Sequence, residues 1–183
     1  MFKKAMLGAL AVLVLVVAAF CIFVAIQPDD FRVTRSTTIN SPPERIFEQI
    51  NDFHKWEAWS PWAKLDPGMK TTYSGPASGV GSAYVWAGDD RVGEGKMTIA
   101  ASHPSEHVAI DLEFIKPFAA KNVIDLTIKQ SGDSSEVTWS MSGKNNFFAK
   151  AFNVVMNMDK LVGPDFEKGL AQLKSVAESS TRQ

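Results

Sequence analysis

Hydrophobic and polar positions divide this chain into one long uncharged run and a remainder in which they alternate. From Ala5 to Ile26 there is no charged residue, and the run follows directly on Lys3 and Lys4. At about 1.5 Å of rise per residue, such a run is long enough as a helix to cross a hydrocarbon core of about 30 Å. A secretory signal has a shorter apolar region of roughly 7–15 residues, whereas here Phe20, Cys21, Ile22 and Phe23 prolong it. An uncleaved anchor over residues 1–27 is the favoured reading, and a signal cut near Ala18 or Ala19 is the alternative. Bulky Phe20 argues against a lipoprotein signal at Cys21.

Past Pro28 the period changes. Phe31 to Asn40 alternates and is rich in β-branched residues, which predicts a first strand. Ser41 is the expected N-cap of the next helix, with Pro42 at its first position and Glu44 completing a capping box. Ile46, Phe47 and Ile50 recur at helical spacing to about Asn51. From Thr71 onward, Gly, Pro and Asp clusters separate short alternating runs, the pattern of an antiparallel meander: Ser82 to Ala87, Gly93 to Ser102, Glu106 to Ile115, Asn122 to Gln130 and Glu136 to Ser142. Ile110, Leu112 and Phe114 oppose Asp111 and Glu113. Ile124, Leu126 and Ile128 oppose Asp125, Thr127 and Lys129, and Trp139 and Met141 oppose Thr138 and Ser140. One face of the sheet is therefore apolar and the other wet. Phe147, Phe148, Ala151, Phe152, Val155 and Met156 share a helical stripe, and after Gly163-Pro164 a second stripe runs through Phe166, Leu170, Leu173 and Ala177. That stripe needs a large apolar partner, and the sheet face is the one on offer. The expected fold is α+β, a curved antiparallel sheet around a long C-terminal helix, preceded by one transmembrane helix.

Composition narrows the function classes. The part from residue 28 to 183 has the length of one domain and can bury roughly 70% of its surface without disulfides or metals. The net charge is −1 with both signs interspersed, so nothing predicts a nucleic-acid partner. Lys3 and Lys4 abut the apolar run, while Arg32 and Arg35 belong to a strand. Basic flanks stay cytoplasmic, which places the domain on the outer side of the inner membrane. The lone Cys21 lies in the apolar run and cannot cross-link the domain.

Particular words in the sequence carry a resemblance. They are Ser41-Pro42-Pro43-Glu44, Trp56-Glu57-Ala58-Trp59-Ser60-Pro61-Trp62, Tyr73-Ser74-Gly75-Pro76 through Gly79-Val80-Gly81 to Trp86, Gly93-Glu94-Gly95-Lys96-Met97, and Gly169-Leu170 with Leu173-Lys174 and Glu178. Together they resemble the SRPBCC superfamily (START, Bet v 1 and polyketide cyclase relatives) over about Phe31 to Glu178, and most closely a bacterial, membrane-anchored branch labelled polyketide cyclase. The resemblance implies the helix-grip fold and a deep apolar cavity between the long helix and the concave sheet, used to hold a lipid-like or aromatic small molecule. It does not imply an activity, since sites rather than folds decide chemistry.

Catalytic patterns are sparse. His54, His103 and His107 lack metal-ligand spacing, and no metal or other cofactor is expected. Gly79, Gly81, Gly93 and Gly95 are not followed by a helix that could hold a phosphate, so they read as hairpin and bulge glycines. There is no nucleophile elbow. The expected cavity wall comprises Tyr84, Trp86, Met97, Ile99, Ile110, Leu112, Phe114, Leu126, Trp139 and Met141. Trp56, Trp59, Trp62, Phe148 and Phe152 are candidates for its rim, with Phe147, Met156 and Met158 as further parts of a lid or a bilayer contact, although the favoured reading is that the tryptophans pack the short helices onto the sheet and that the Phe and Met stripe is plain core. The leading expectation is a membrane-anchored, non-enzymatic binder of an apolar small molecule or lipid. A cyclase or dehydratase using the same cavity is the first alternative and requires Glu94, His54 or His107 to point inward. A protein-interaction module is the second and requires an exposed Trp56 to Trp62 patch.

Overall fold

A computed structural model of the chain describes residues 2–179. Helix α1 (Phe2–Ala25) is followed by β1 (Asp30–Ile39), α2 (Pro43–Ile50), a 3-10 helix (Phe53–Ala58), and strands β2 (Lys70–Ser74), β3 (Ala83–Ala87), β4 (Glu94–His103), β5 (His107–Lys116), β6 (Ala120–Ser131) and β7 (Ser134–Lys144). Helices α3 (Phe147–Val155) and α4 (Met158–Ser179) close the chain. Among the described residues, α1 is the one helix long and apolar enough to cross a membrane. The strands form one antiparallel sheet in the order β1-β7-β6-β5-β4-β3-β2, so the meander is closed by β1 pairing with β7. This is the α+β helix-grip arrangement, with α4 held in the concave side.

Register gives the sheet two distinct ends. Asp30 pairs with Lys144, Gly143 with Asn122, Ala120 with Phe114, and Lys116 with Glu94. The start of β1, the β5–β6 turn and the β3–β4 turn therefore lie together at the end next to α1, here called the proximal end. Helix α4 runs parallel to β1. Arg35 binds Asp159 and Glu167 near its start, Lys174 Nζ donates to the Thr38 carbonyl at 2.7 Å, and the Asn40 amide donates to Glu178 at 2.7 Å near its end. The first turns of α4 thus belong to the proximal end as well.

Two local expectations are corrected. Ser41 is not the N-cap of α2. Pro42 occupies that position in an extended conformation (φ −65°, ψ 150°), and Pro43 takes the first helical position. A residue before proline is pushed out of the helical region, so the second proline shifts the start by one residue. Ser41 is instead buried, and its carbonyl accepts from the Ser135 hydroxyl at 2.9 Å. The second difference is that α4 begins at Met158 and continues through Pro164. Proline removes one helical hydrogen bond there. The Arg35 guanidinium bridges the interruption, reaching Asp159 at 2.7 Å on one side and Glu167 at 2.6 Å on the other. Gly163 makes room for this, because a Cβ at that position would lie 2.0 Å from Arg35 Nη2.

Candidate functional site

Alternation fixes which side chains face α4, and position along each strand then fixes their fate. At the distal end Ile99, Ile110, Leu126, Val108 and Val137 are packed with Ile39, Ile46, Ile50, Leu170 and Leu173 into a filled aliphatic core. At the proximal half the same rows are occupied by larger side chains and do not close. They leave a cavity of about 360 Å³ between the sheet, the 60s segment and the start of α4.

The inner wall is aromatic and thioether-rich. Trp139 lies stacked on Phe166 at a centroid distance of 4.4 Å and receives the edges of Trp59 at 5.4 Å, Trp62 at 5.9 Å and Trp56 at 6.1 Å. Close approach of α4 depends on Gly169, whose Cβ would meet the Trp139 ring at 2.7 Å. Trp56 Nε1 donates to the Ile50 carbonyl at 3.1 Å, and Trp86 Nε1 donates to the Val92 carbonyl at 3.0 Å. Trp139 Nε1 is buried and has no hydrogen-bond partner. Gly95 is the counterpart of Gly169 on the other wall, since a Cβ there would sit 2.4 Å from the Trp86 ring. Tyr84 stacks beside Trp86 at 5.9 Å, and burial pushes its phenol up to about 12, so it is neutral at physiological pH.

Seven of the expected wall residues line the cavity: Tyr84, Trp86, Met97, Leu112, Phe114, Trp139 and Met141. Three do not. Ile99, Ile110 and Leu126 share the inner face but lie one step further from the proximal end, inside the filled core. Of the rim candidates, Trp56 and Trp62 line the cavity, while Trp59 is fully buried behind Trp139. Phe148 and Phe152 contribute nothing to it and stand exposed on α3, so no lid covers the opening from there. Ile124, Phe166, Met69, Leu161 and Val162 are lining residues that the sequence reading did not select. Ile124 and Phe166 lay on stripes already identified, and only their level was missing. Met69 and Leu161 come from irregular or helix-start positions with no periodic signal.

The exposed part of the lining identifies the opening. Asp90 and Arg91 in the β3–β4 turn, Lys116 and Pro117 in the β5–β6 turn and Leu161 in α4 are the lining residues open to solvent. All three segments belong to the proximal end.

The groups on which cyclase chemistry was to depend point elsewhere. His54 Nδ1 pairs with Asp52 at 2.9 Å, and its ring stacks on Tyr73. Glu94 is bound by Lys116 at 2.7 Å, and His107 Nε2 meets Asp125 at 2.9 Å. None of the three lines the cavity. The ionisable lining groups are Tyr84 in the wall, with Asp90, Arg91, Lys116 and Asp165 toward the opening. The described residues hold no cluster of three His, Cys, Asp or Glu suited to a metal ion. An exposed tryptophan docking patch is likewise overturned, because Trp56 and Trp59 are 5% and 0% exposed. Their indoles complete the wall behind Trp139 rather than facing a partner.

Comparison with known families decides the membership. The model of the family described as polyketide cyclase / dehydrase and lipid transport matches residues 30–178. The chain belongs to this family. Its fold recurs in solved structures: a protein of unknown function, SA2116 from Staphylococcus aureus, is 13% identical with a TM-score of 0.64, covering 86% of this chain and 99% of that one. A protein from Nitrosospira multiformis is 20% identical with a TM-score of 0.59, covering 84% and 100%. Ara h 8.0201 is 12% identical with a TM-score of 0.56, covering 82% and 99%. At these identities the likeness is one of fold. No protein of curated function matches the sequence. Family membership makes the SRPBCC assignment firm and directs attention to apolar ligands.

Proposed function

We propose that this protein is a membrane-tethered, non-enzymatic carrier that holds one apolar small molecule or acyl chain in the cavity between its sheet and α4. One observation carries the reading: apart from Gly93, the lining residues that are buried are all apolar, namely Trp56, Trp86, Met97, Leu112, Ile124, Trp139, Met141 and Phe166. Water in such a site finds almost no polar partner, so an apolar occupant is favoured roughly in proportion to the area it removes from solvent. About 360 Å³ lies at the lower end of the roughly 300–1,000 Å³ usual for small-molecule sites. This suits a single chain or compact ring system better than a whole two-chain lipid. In this reading α1 anchors the protein in the inner membrane, with Lys3 and Lys4 cytoplasmic and the domain outside. Tethering raises the local concentration of the cavity at the surface from which a poorly soluble cargo must be taken.

The test is binding of a fluorescent fatty acid to the full chain in mild detergent, with native mass spectrometry of the same preparation to read any mass carried from the cells. Leu112→Trp places an indole in the cavity and should abolish saturable binding while the circular dichroism spectrum is retained. Binding that survives this substitution unchanged, in a folded protein, would remove the cavity from the account. Asp133→Cys, at the far turn between β6 and β7, should react with a membrane-impermeant maleimide in intact spheroplasts; protection there would reverse the orientation.

A further inference from the structure

Helix α3 is built the wrong way round for a helix in water. Its nine residues include one charge, Lys150, and that side chain is turned inward and buried. The outward stripe is Phe148, Phe152 and Val155, exposed by 81%, 44% and 73%. A solvated surface helix shows the reverse distribution. The β5–β6 turn, at the same end of the sheet, adds Phe118 at 79% exposed, and the turn-side end of β5 adds Ile115 at 55%. Scattered single apolar residues need no explanation, but a charge-free helix face joined by a second apolar turn does.

What covers this surface follows from its attachment. Lys150 Nζ donates to the Ala25 carbonyl at the last turn of α1 at 3.3 Å and forms an ion pair with Asp29. The Asn145 amide, just before α3, donates to the Asp29 carbonyl at 2.6 Å. Val24, near where α1 meets α3, is fully buried, whereas its apolar neighbours along α1 are open. Only residues 26–29 separate α1 from β1, at most about 18 Å of chain at roughly 3.5 Å per residue. The apolar face is therefore continuous with the end of the membrane-spanning helix and cannot swing far from the plane in which that helix emerges. Amphipathic segments at such a plane settle with their apolar side about 5–10 Å into the headgroup–acyl boundary.

We infer that α3 and the β5–β6 turn dock on the lipid bilayer that holds α1, so that the cavity opens directly onto the membrane surface. The opening lies between the β3–β4 turn, the β5–β6 turn and Leu161, all at this same end. An apolar cargo then passes between bilayer and cavity without crossing bulk water. This inference rests on α1 being a retained membrane span, and the experiment separates the two.

The full chain carrying Cys21→Ser receives one cysteine at a time, Leu13→Cys, Phe118→Cys, Phe148→Cys or Asp133→Cys. Each is labelled with a nitroxide and reconstituted in nanodiscs of phosphatidylcholine with a minority of phosphatidylglycerol. Collision of the label with oxygen and with a water-soluble nickel chelate is read by power-saturation electron paramagnetic resonance. Labels at 118 and 148 should show a several-fold loss of nickel collisions relative to the label at 133, with the label at 13 deepest. A buried label at 13 together with labels at 118 and 148 as nickel-accessible as that at 133 would overturn the docking and leave the tether intact. A label at 13 open to nickel would overturn the tether and the docking with it. Shielding at 118 and 148 that grows with the number of proteins per disc would assign the surface to a second copy and equally overturn the inference.

Discussion

Trp139 joins the centre of the aromatic stack to a buried indole N–H without a partner, and truncating it in two steps separates the two contributions. The side chain is fully buried, with Phe166 stacked at 4.4 Å and three tryptophan edges within 6.1 Å. Trp139→Ala removes all of these contacts beside an existing cavity and should cost about 3–5 kcal/mol, the usual range for a buried aromatic. At about 2–4 °C per kcal/mol for a chain of this size, the midpoint should fall by roughly 6–20 °C. Trp139→Phe behaves differently. It forfeits two ring carbons, about 1.6 kcal/mol at roughly 0.8 kcal/mol per methylene-sized group. It also deletes the unpartnered Nε1–H, whose burial costs about 1–3 kcal/mol. The two nearly cancel, and the expected change is within about 1.5 kcal/mol of zero. Thermal and urea unfolding of the full chain in detergent, followed by far-UV circular dichroism, measures both. A Trp139→Phe loss as large as that of Trp139→Ala would refute the orphan-donor argument. A Trp139→Ala loss under about 1 kcal/mol would refute the claim that the aromatic stack holds α4 on the sheet.

Gly95→Val drives a Cβ to within 2.4 Å of the Trp86 ring and 2.6 Å of the Glu113 carbonyl. It should destabilise by at least the roughly 1–3 kcal/mol typical of overpacking, and the near-UV dichroism of Trp86 should change with it. Tyr84 should titrate with a phenolate absorbance midpoint near 12, well above the ordinary 10.0, because burial disfavours its anion. Its folded-state value is raised, so the associated stability is complete below pH 10.0 and disappears as pH climbs through about 12. Tyr84→Phe should abolish that alkaline loss. Arg35→Gln should speed amide exchange in the first turns of α4, where Arg35 holds Asp159 and Glu167. Arg35 keeps the Asp159 carboxyl below its ordinary 3.8. That stabilisation is therefore present above pH 3.8 and lost as pH falls below it, so the protection of these amides relative to their intrinsic exchange rate at each pH should decline on acidification in the wild type and not in the variant.

Much of this architecture was legible because alternation is a direct imprint of which side of a sheet is wet. Ile110, Leu112 and Phe114 against Asp111 and Glu113 placed β5 correctly, and the same reasoning oriented β6 and β7. The turn glycines were legible too. Gly93 adopts φ 64° between β3 and β4, and a register shift follows it between Glu94 and Gly95. Sequence reasoning failed where two local rules competed, as at Pro42-Pro43. It also failed where a long-range ion pair overrode a helix breaker, as Arg35 does across Pro164. No periodicity could have shown that α3 buries its lysine and exposes its phenylalanines, because that inversion depends on Asp29 and the end of α1 lying next to it.

The misplacement of Ile99, Ile110 and Leu126 has a more general cause. A period of two tells which face a side chain occupies and nothing about how far along the strand the packing stays closed. That second coordinate is set by what lies opposite. Helix α2 delivers Ile46 and Ile50, and α4 delivers Leu170 and Leu173, to one end of the concave face, and these branched side chains fill it around Ile99, Ile110 and Leu126. At the other end the opposing residues are Trp62 and Phe166, whose rigid rings span the gap without filling it, with Val162 beside them. Between β4 and β5 the boundary falls at one level, and from β5 to β7 it steps toward the distal end, since lining Ile124 pairs with Ile110 and lining Trp139 with Leu126. Met97 pairs with Leu112 on the open side, and Ile99 pairs with Ile110 on the closed side. Because β1 starts at α1 and its register is carried through β7, β6 and β5 to β4, the open side is necessarily the one nearest the apolar helix. Aliphatic-to-aromatic polarity along the strands, read together with the end at which the chain enters the sheet, thus locates both the cavity and the direction in which it opens.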